Sequence, residues 1–411
     1  MNILEERRWV LRFYTSLFVF LIAPKFAGLF MESGTRGVSI ILGFWVFYCF
    51  IKLHINNNLF HYHNLTNAFI ILFSTLSVSL VIRGKWQISN PIDFLRNLTA
   101  ASDSILSTLL PIFILFLPNY KYKKSILRLF YKISLFAFPL WIISDHLVYV
   151  DQGEDVKEYY ADNMIVGIGY IAAFLIGSID EFTKKKQIAI VVIFTINFLL
   201  MIANGRRGTC MLLMMYLLIS LLCGSKVRNK VGKYLTPLVF LVVFSLLSFS
   251  VGAEFVDDGP WGYLFSRINE NTRDSVNAFF WEDFKNSPIQ DWIFGRGMNG
   301  SYYHYHNNIE TGEISYWRNG LETGYLNLLL KGGLIYVLFI FIFLITSIYK
   351  AFKYKKENFL FYGGILLTFL FCLYAKTTLL RINTLSIIFW FCISLTYQYN
   401  YYYKIKHLIR S

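Results

Sequence analysis

Apolar stretches of about twenty residues recur along the whole chain, and clusters of Lys and Arg punctuate every second gap between them. A stretch of that length, at ~1.5 Å of rise per helical residue, crosses a hydrocarbon core ~30 Å thick. The pattern predicts twelve membrane spans, near 13–30, 38–53, 65–82, 98–117, 126–144, 164–179, 188–203, 209–223, 234–252, 325–349, 358–375 and 383–399. The apolar residues run on without alternating with polar ones, which argues for a helical bundle and against a β-barrel. The expected fold class is therefore an all-α integral membrane protein, with residues 1–411 forming one polytopic domain.

Composition sharpens this. Of 411 residues, 56% are hydrophobic and 19% aromatic, too apolar for a soluble domain of that length. The formal charge of +14 does not mark a nucleic-acid partner, because the basic residues sit in short gaps between spans, where they orient helices. One set of ends and gaps holds Arg7, Arg8 and Arg12, then Lys121, Lys123 and Lys124, then Lys184–Lys186, then Lys226, Arg228 and Lys230, then Lys350, Lys353, Lys355 and Lys356, then Lys404 and Lys406. The positive-inside rule assigns these to the cytoplasm, with both termini. The N-terminus shows no small-residue cleavage site and reads as an uncleaved first helix. Cys49, Cys210, Cys223, Cys372 and Cys392 all fall in or beside apolar runs, without C-x-x-C spacing, and read as buried thiols.

The opposite face carries the longer connections. Segment 145–163 is acidic, and segment 253–324, between the ninth and tenth spans, is the longest connection in the chain. Long loops of this kind in compact proteins are functional or disordered. This one is rich in aromatic residues, and Val276, Phe280 and Phe284 recur at helical spacing, which predicts an amphipathic helix at the outer membrane boundary.

Candidate chemistry concentrates in two places. Asn204-Gly205-Arg206-Arg207-Gly208-Thr209 lies between two spans on the outer face. Flanking glycines admit a ligand close to the backbone, and adjacent guanidiniums match phosphate oxygens. The same six residues also suit a tight turn whose arginines reach lipid headgroups. The second place is the long loop, with Arg267, Arg273, Arg296 and Arg318 among eleven acidic residues, so any anion site there must be local. Each arginine could equally be a solvated or ion-paired side chain. Arg273 continues the stripe of Val276 and Phe280. His304 and His306 form an H-x-H pair amid tyrosines suited to stacking on sugars or to an interfacial belt, and no third metal ligand is visible. His61 and His63, a second such pair, read as a feature of a cytoplasmic loop. No D-x-D triplet occurs, which weighs against a glycosyltransferase using a metal-bound nucleotide sugar.

Several of these features together resemble the bacterial O-antigen polymerase family, within the O-antigen polymerase and ligase superfamily. They are the many spans, the Arg-Gly turn at 204–209, Arg273, Ile293-Phe294-Gly295-Arg296-Gly297, and Glu322-Thr323-Gly324-Tyr325-Leu326-Asn327 followed by Lys331-Gly332-Gly333-Leu334. Ligase-type members usually carry His-Asn where Glu322-Thr323 stands here, which favours the polymerase. The resemblance implies a metal-independent glycosyltransferase of the GT-C-like type, without cofactor, in the bacterial inner membrane. It would transfer a growing glycan from undecaprenyl diphosphate to a lipid-linked repeat unit at the periplasmic face. Its implied partners are that undecaprenyl-diphosphate-linked oligosaccharide, the bilayer, and a chain-length regulator and flippase of the same pathway. Arg206, Arg207 and Arg273 would hold the departing diphosphate, with Arg267, Arg318 and His304 as further substrate contacts. Glu322 would be the base for the acceptor hydroxyl and His306 the second choice. Glu322 could instead pair with Arg318, four residues earlier, on one helix face.

Rival readings are an O-antigen ligase transferring glycan to lipid A–core, a lipid-linked oligosaccharide flippase, and a non-catalytic scaffold. A transporter should show paired repeats and charges near mid-membrane; Asp103 and Lys25 are the early candidates, both near span ends.

Overall fold

Helices start and stop close to where the apolar runs do. The computed structural model describes residues 2–28, 34–55, 64–86, 91–151, 167–203, 207–223, 272–307, 314–321, 323–354, 359–375 and 379–408, some of them by backbone alone. Of these, 84% are helical. The helices are α1 (Ile3–Gly28), α2 (Gly34–His54), α3 (Asn64–Ile82), α4 (Pro91–Thr99), α5 (Ile105–Phe116), α6 (Asn119–Asp151) and α7 (Gly167–Ile176). They continue with α8 (Lys184–Ala203), α9 (Arg207–Cys223), α10 (Thr272–Lys285), α11 (Ile289–Phe294), α12 (Gly324–Tyr354), α13 (Phe359–Ala375) and α14 (Thr384–Leu408). Strands β1 (Tyr302–Asn307) and β2 (Ile314–Arg318) form one antiparallel hairpin. The expected span at 234–252 lies outside the described residues.

Among the described residues two helices are long and apolar enough to cross a membrane, Gly37–His54 and Gly324–Lys353. A third candidate is the pair α5 and α6, bent by 116° at a short break. Shorter apolar helices occupy Thr66–Ile82, Gly167–Ile176, Phe359–Leu370 and Thr384–Tyr399. The unbroken span expected at 98–117 is not found. Asp103 adopts a left-handed backbone with φ of 55°, and the helix restarts only at Ser104, whose hydroxyl caps Ser107 N–H while Ser107 caps Ser104 in return. The apolar run hid this break because the polar residues that make it are few and small.

The chain divides into two compact units. The first comprises residues 1–123, 272–347 and 369–411. Phe73 of α3 packs on Tyr336 and Phe343 of α12 and on Trp390 of α14, with ring centroids 5.0–5.6 Å apart. The break before α6 frees backbone carbonyls inside this apolar packing, and such groups must find donors. Asn119 donates to Ile114 O at 2.8 Å and to Ser394 Oγ at 2.8 Å, and Gln398 of α14 donates to Leu117 O at 2.5 Å. Elsewhere in this unit, buried Glu6 of α1 accepts from Lys121 Nζ at 2.5 Å and from Tyr122 Oη at 2.8 Å.

The expected amphipathic helix is α10. Phe280 and Phe284 are fully buried, with Val276 partly so, against Tyr302, Leu321, Leu326, Leu329 and Leu330. This cluster ties the long connection to the start of α12 and seats the hairpin. Successive side chains on a strand alternate faces, and β1 follows this: Tyr302 is buried, Tyr303 exposed and His304 buried.

The second unit comprises residues 124–271 and 348–368. Helix α7 is buried almost throughout, with Phe174 against Phe361 at 5.6 Å and Tyr170 against Tyr216 at 6.2 Å. Gln187 at the start of α8 donates to the carbonyls of Ile179 and Phe182, closing the turn before it, and Lys124 pairs with Glu181 at 3.1 Å.

Candidate functional site

Within the first unit, segments far apart in sequence meet beside the hairpin. The loop after α11 lies across α12 where that helix kinks at Gly333, φ 68°. Arg296 N–H donates to Leu330 O at 2.7 Å and Gly297 N–H to Lys331 O at 2.9 Å. Gly295 adopts φ of 72°, and a Cβ there would strike the backbone of Lys331 and Gly332; one on Gly333 would strike Ile293 and Gly295. Gly333 therefore admits this loop against the backbone of α12.

The other side of the loop grips the end of α3. Met298 N–H donates to Leu80 O at 3.0 Å, and Arg83 Nη1 donates to Gly295 O at 2.8 Å. Asn299 accepts from Lys85 N–H at 2.6 Å and donates back to Lys85 O. Partial burial draws the Arg83 guanidinium below its ordinary value, and the charge of Asp291 opposes that.

Arg296 is consumed by structure. Its Nη1 donates to Asp283 Oδ2 at 2.6 Å and to Ser301 O at 2.6 Å, its Nε to Asp291 Oδ2 at 2.9 Å, and its Nη2 to Ser287 Oγ at 2.5 Å. A planar fork with five donors suits this multi-point role. It binds α10, α11 and the start of the hairpin into one piece, so Gly295-Arg296-Gly297 is a scaffold motif.

Among the described residues one feature remains open to chemistry. A cavity of ≈ 240 Å³ is lined by Lys85, Asn299, Ser301, Trp317 and Asn319. Trp317 is 54% exposed; Tyr303, also about half exposed, stands opposite it on β1 with ring centroids 5.8 Å apart, and stacks on half-exposed Tyr316 at 6.4 Å. Lys85 Nζ stands 5.9 Å from the Trp317 ring. Lys331 of α12 does not line the cavity: it is buried, donates to Met298 O at 2.9 Å and pairs with Asp103. Arg381 lies within electrostatic reach of Lys331, bridges to Ser102 through backbone, and stands beside Gly320, the residue after Asn319. Among the described residues no group of three His, Cys, Asp or Glu side chains is close enough to hold a metal ion.

Of the residues the sequence singled out, Arg206, Arg267 and Glu322 lie outside the described residues, as do His61 and His63. Arg207 opens α9 in the second unit, and Arg273 is the second residue of α10; both are described by backbone. His306 stands on β1 opposite Ser315, also by backbone. Arg318 ends β2 opposite Tyr302, its side chain half-buried. His304 is buried against α10, 4.8 Å from the Phe279 ring, and does not line the cavity. Arg318 is in a strand and α12 begins only at Gly324, so the helical pairing of Arg318 with Glu322 is overturned.

Lys331 was legible: it is the one charge between Gly324 and Tyr349, and a lone ionisable residue in an apolar span marks a functional or structural site. Lys85, Asn299, Trp317, Asn319 and Arg381 carried no local signal. No family model, curated protein or solved structure matches the chain.

Proposed function

We propose that this chain is a metal-independent membrane glycosyltransferase that polymerises a bacterial surface polysaccharide. In this reading about twelve GT-C-like spans cross the cytoplasmic membrane, and the long connection faces the periplasm. The donor is a growing glycan on undecaprenyl diphosphate; the acceptor is a lipid-linked repeat unit. The observation that carries the reading is the meeting of Lys85, Trp317, Asn319, Lys331 and Arg381. Lys85, Trp317 with Asn319, and Arg381 come from three connections that the charge asymmetry assigns to one face, and Lys331 stands near the start of the apolar helix α12. The opposite ends agree, since Glu6 pairs with Lys121, both on the face assigned to the cytoplasm. An exposed aromatic wall with amide and cationic neighbours suits a sugar bearing a charged group.

Chemically, the reaction needs a stabilised diphosphate leaving group and a base for the acceptor hydroxyl. Fixed guanidinium and ammonium groups supply the first without a metal. Arg206, Arg207 and Arg273 are proposed for that role from the sequence. Glu322 directly follows Leu321, whose N–H is held by Asn327 Oδ1 at 3.3 Å, and remains the proposed base, with His306 second.

The test is the glycan profile of a strain lacking the gene. A ladder collapsing to core plus one repeat unit supports a polymerase. Bare core points to the ligase or to a flippase, and an unchanged profile removes the reading.

A further inference from the structure

Lys85 occupies an unusual position for a surface lysine. Its backbone is gripped at both N–H and C=O by the Asn299 side chain, 214 residues away in sequence. The preceding Gly84 lies against Met298 and Asn299, with no room for a side chain larger than hydrogen unless these shift. Asn299 is itself set by the loop that Met298 N–H ties to Leu80 O and Gly297 N–H ties to Lys331 O. The fold thus fixes the backbone of an exposed lysine that lines the cavity, with its ammonium over the exposed ring of Trp317. Asn299 has spent its polar atoms on that clamp, leaving Lys85, Ser301 and Asn319 to meet a ligand. None of the five lining residues is acidic, although the connection from 253 to 324 is acidic overall.

We infer that this cavity is a saccharide subsite selective for a negatively charged sugar residue. The inference rests on the polysaccharide reading above and names its substrate class. Trp317 takes the apolar face of the ring. Asn319 and Ser301 hydrogen-bond its hydroxyls. Lys85, whose backbone the Asn299 clamp holds beside the cavity, binds the charged group. A volume of ≈ 240 Å³, just under the ~300 Å³ at which drug-sized sites begin, suits a single ring with its neighbours in solvent. The ammonium, a compact point charge on a flexible stem, accepts a carboxylate or a phosphate on that sugar alike.

The experiment has separable arms. The deletion strain identifies the polysaccharide that depends on this gene; if none changes, the polymerase reading falls on its own account. Where one does, composition analysis of its repeat unit is expected to find an anionic sugar, and a wholly neutral repeat overturns the inference. Purified protein in nanodiscs is then assayed for elongation of the native lipid-linked repeat unit. Lys85→Gln is expected to raise KM about tenfold, as for loss of one charge-assisted contact, and Lys85→Arg to retain most affinity. On the same substrate with its charged group chemically neutralised, wild type and Lys85→Gln are expected to coincide. An unchanged KM for Lys85→Gln on the native substrate overturns the inference. So does quenching of Trp317 fluorescence by brominated lipids that saccharide fails to relieve, measured as the difference between wild type and Trp317→Phe; the ring would then be a membrane anchor.

Discussion

Gly295 and Gly333 interlock: each has a left-handed backbone, and each lies where a side chain on it would enter the other's segment. The kink of α12 and the loop after α11 are therefore one structure. An alanine at either position must leave the left-handed region or strain there, costing about 1–2 kcal/mol before any steric term. Gly295→Ala and Gly333→Ala are expected to lower the half-inactivation temperature in detergent by several degrees. Equal thermal resistance of both variants and wild type would show that the interlock is dispensable.

Asp103 and Lys331 form a pair in which the lysine is almost wholly buried. Removing one member of such a pair leaves an uncompensated charge, whereas removing both is much less costly. Asp103→Asn and Lys331→Met are each expected to destabilise by about 1–3 kcal/mol, with the double variant milder than their sum. The readout is a double-mutant cycle on denaturation in detergent. Additive losses would deny the coupling.

Tyr316, half exposed on the hairpin, offers a topology probe. In a cysteine-free background, Tyr316→Cys is expected to react with a membrane-impermeant maleimide added from the periplasm. Labelling only from the cytoplasmic side would invert the assigned orientation and end the proposed function.

Arg206, Arg207 and Arg273, each replaced by Ala, are expected to shorten or abolish the polymer at normal protein level. Loss of one contact to transition-state charge costs ~10²–10³ in rate. Lys at the same positions should rescue only in part, because a point charge cannot make a fork's paired contacts. Normal glycan ladders in all three Ala variants would remove these residues from the site.

For the base, Glu322→Gln keeps size and hydrogen bonding while removing proton acceptance, and is expected to block elongation without loss of folded protein. If Glu322→Gln polymerises normally and His306→Ala does not, the role passes to His306. If both are active, departure of the diphosphate driven by cations alone becomes the mechanism.

The helices were legible because their signal is local. The apolar runs at 38–53 and 325–349 needed no partner to be read, and α2 and α12 cover them. The stripe of Val276, Phe280 and Phe284 was legible for the same reason, since a helix repeats its face every three to four residues whatever it packs against. The break at Asp103 escaped, because a left-handed residue and a serine capping box weigh little in an apolar window.

The cavity could not be read at all. Lys85, Asn299 and Trp317 have no common sequence pattern, and their meeting depends on glycines at 295, 297 and 333 that let backbones touch. Likewise Arg296, which the sequence left open between an anion site and an ion pair, is spent on Asp283, Asp291, Ser287 and Ser301. Apolar length and charge asymmetry, both properties of single segments, were set by the sequence alone. Which cations are used up in holding the scaffold and which still face solvent was decided only by the three-dimensional structure, because a guanidinium's partners depend on how helix, turn and strand bend toward one another, even where, as for Arg296, all four lie within thirteen residues.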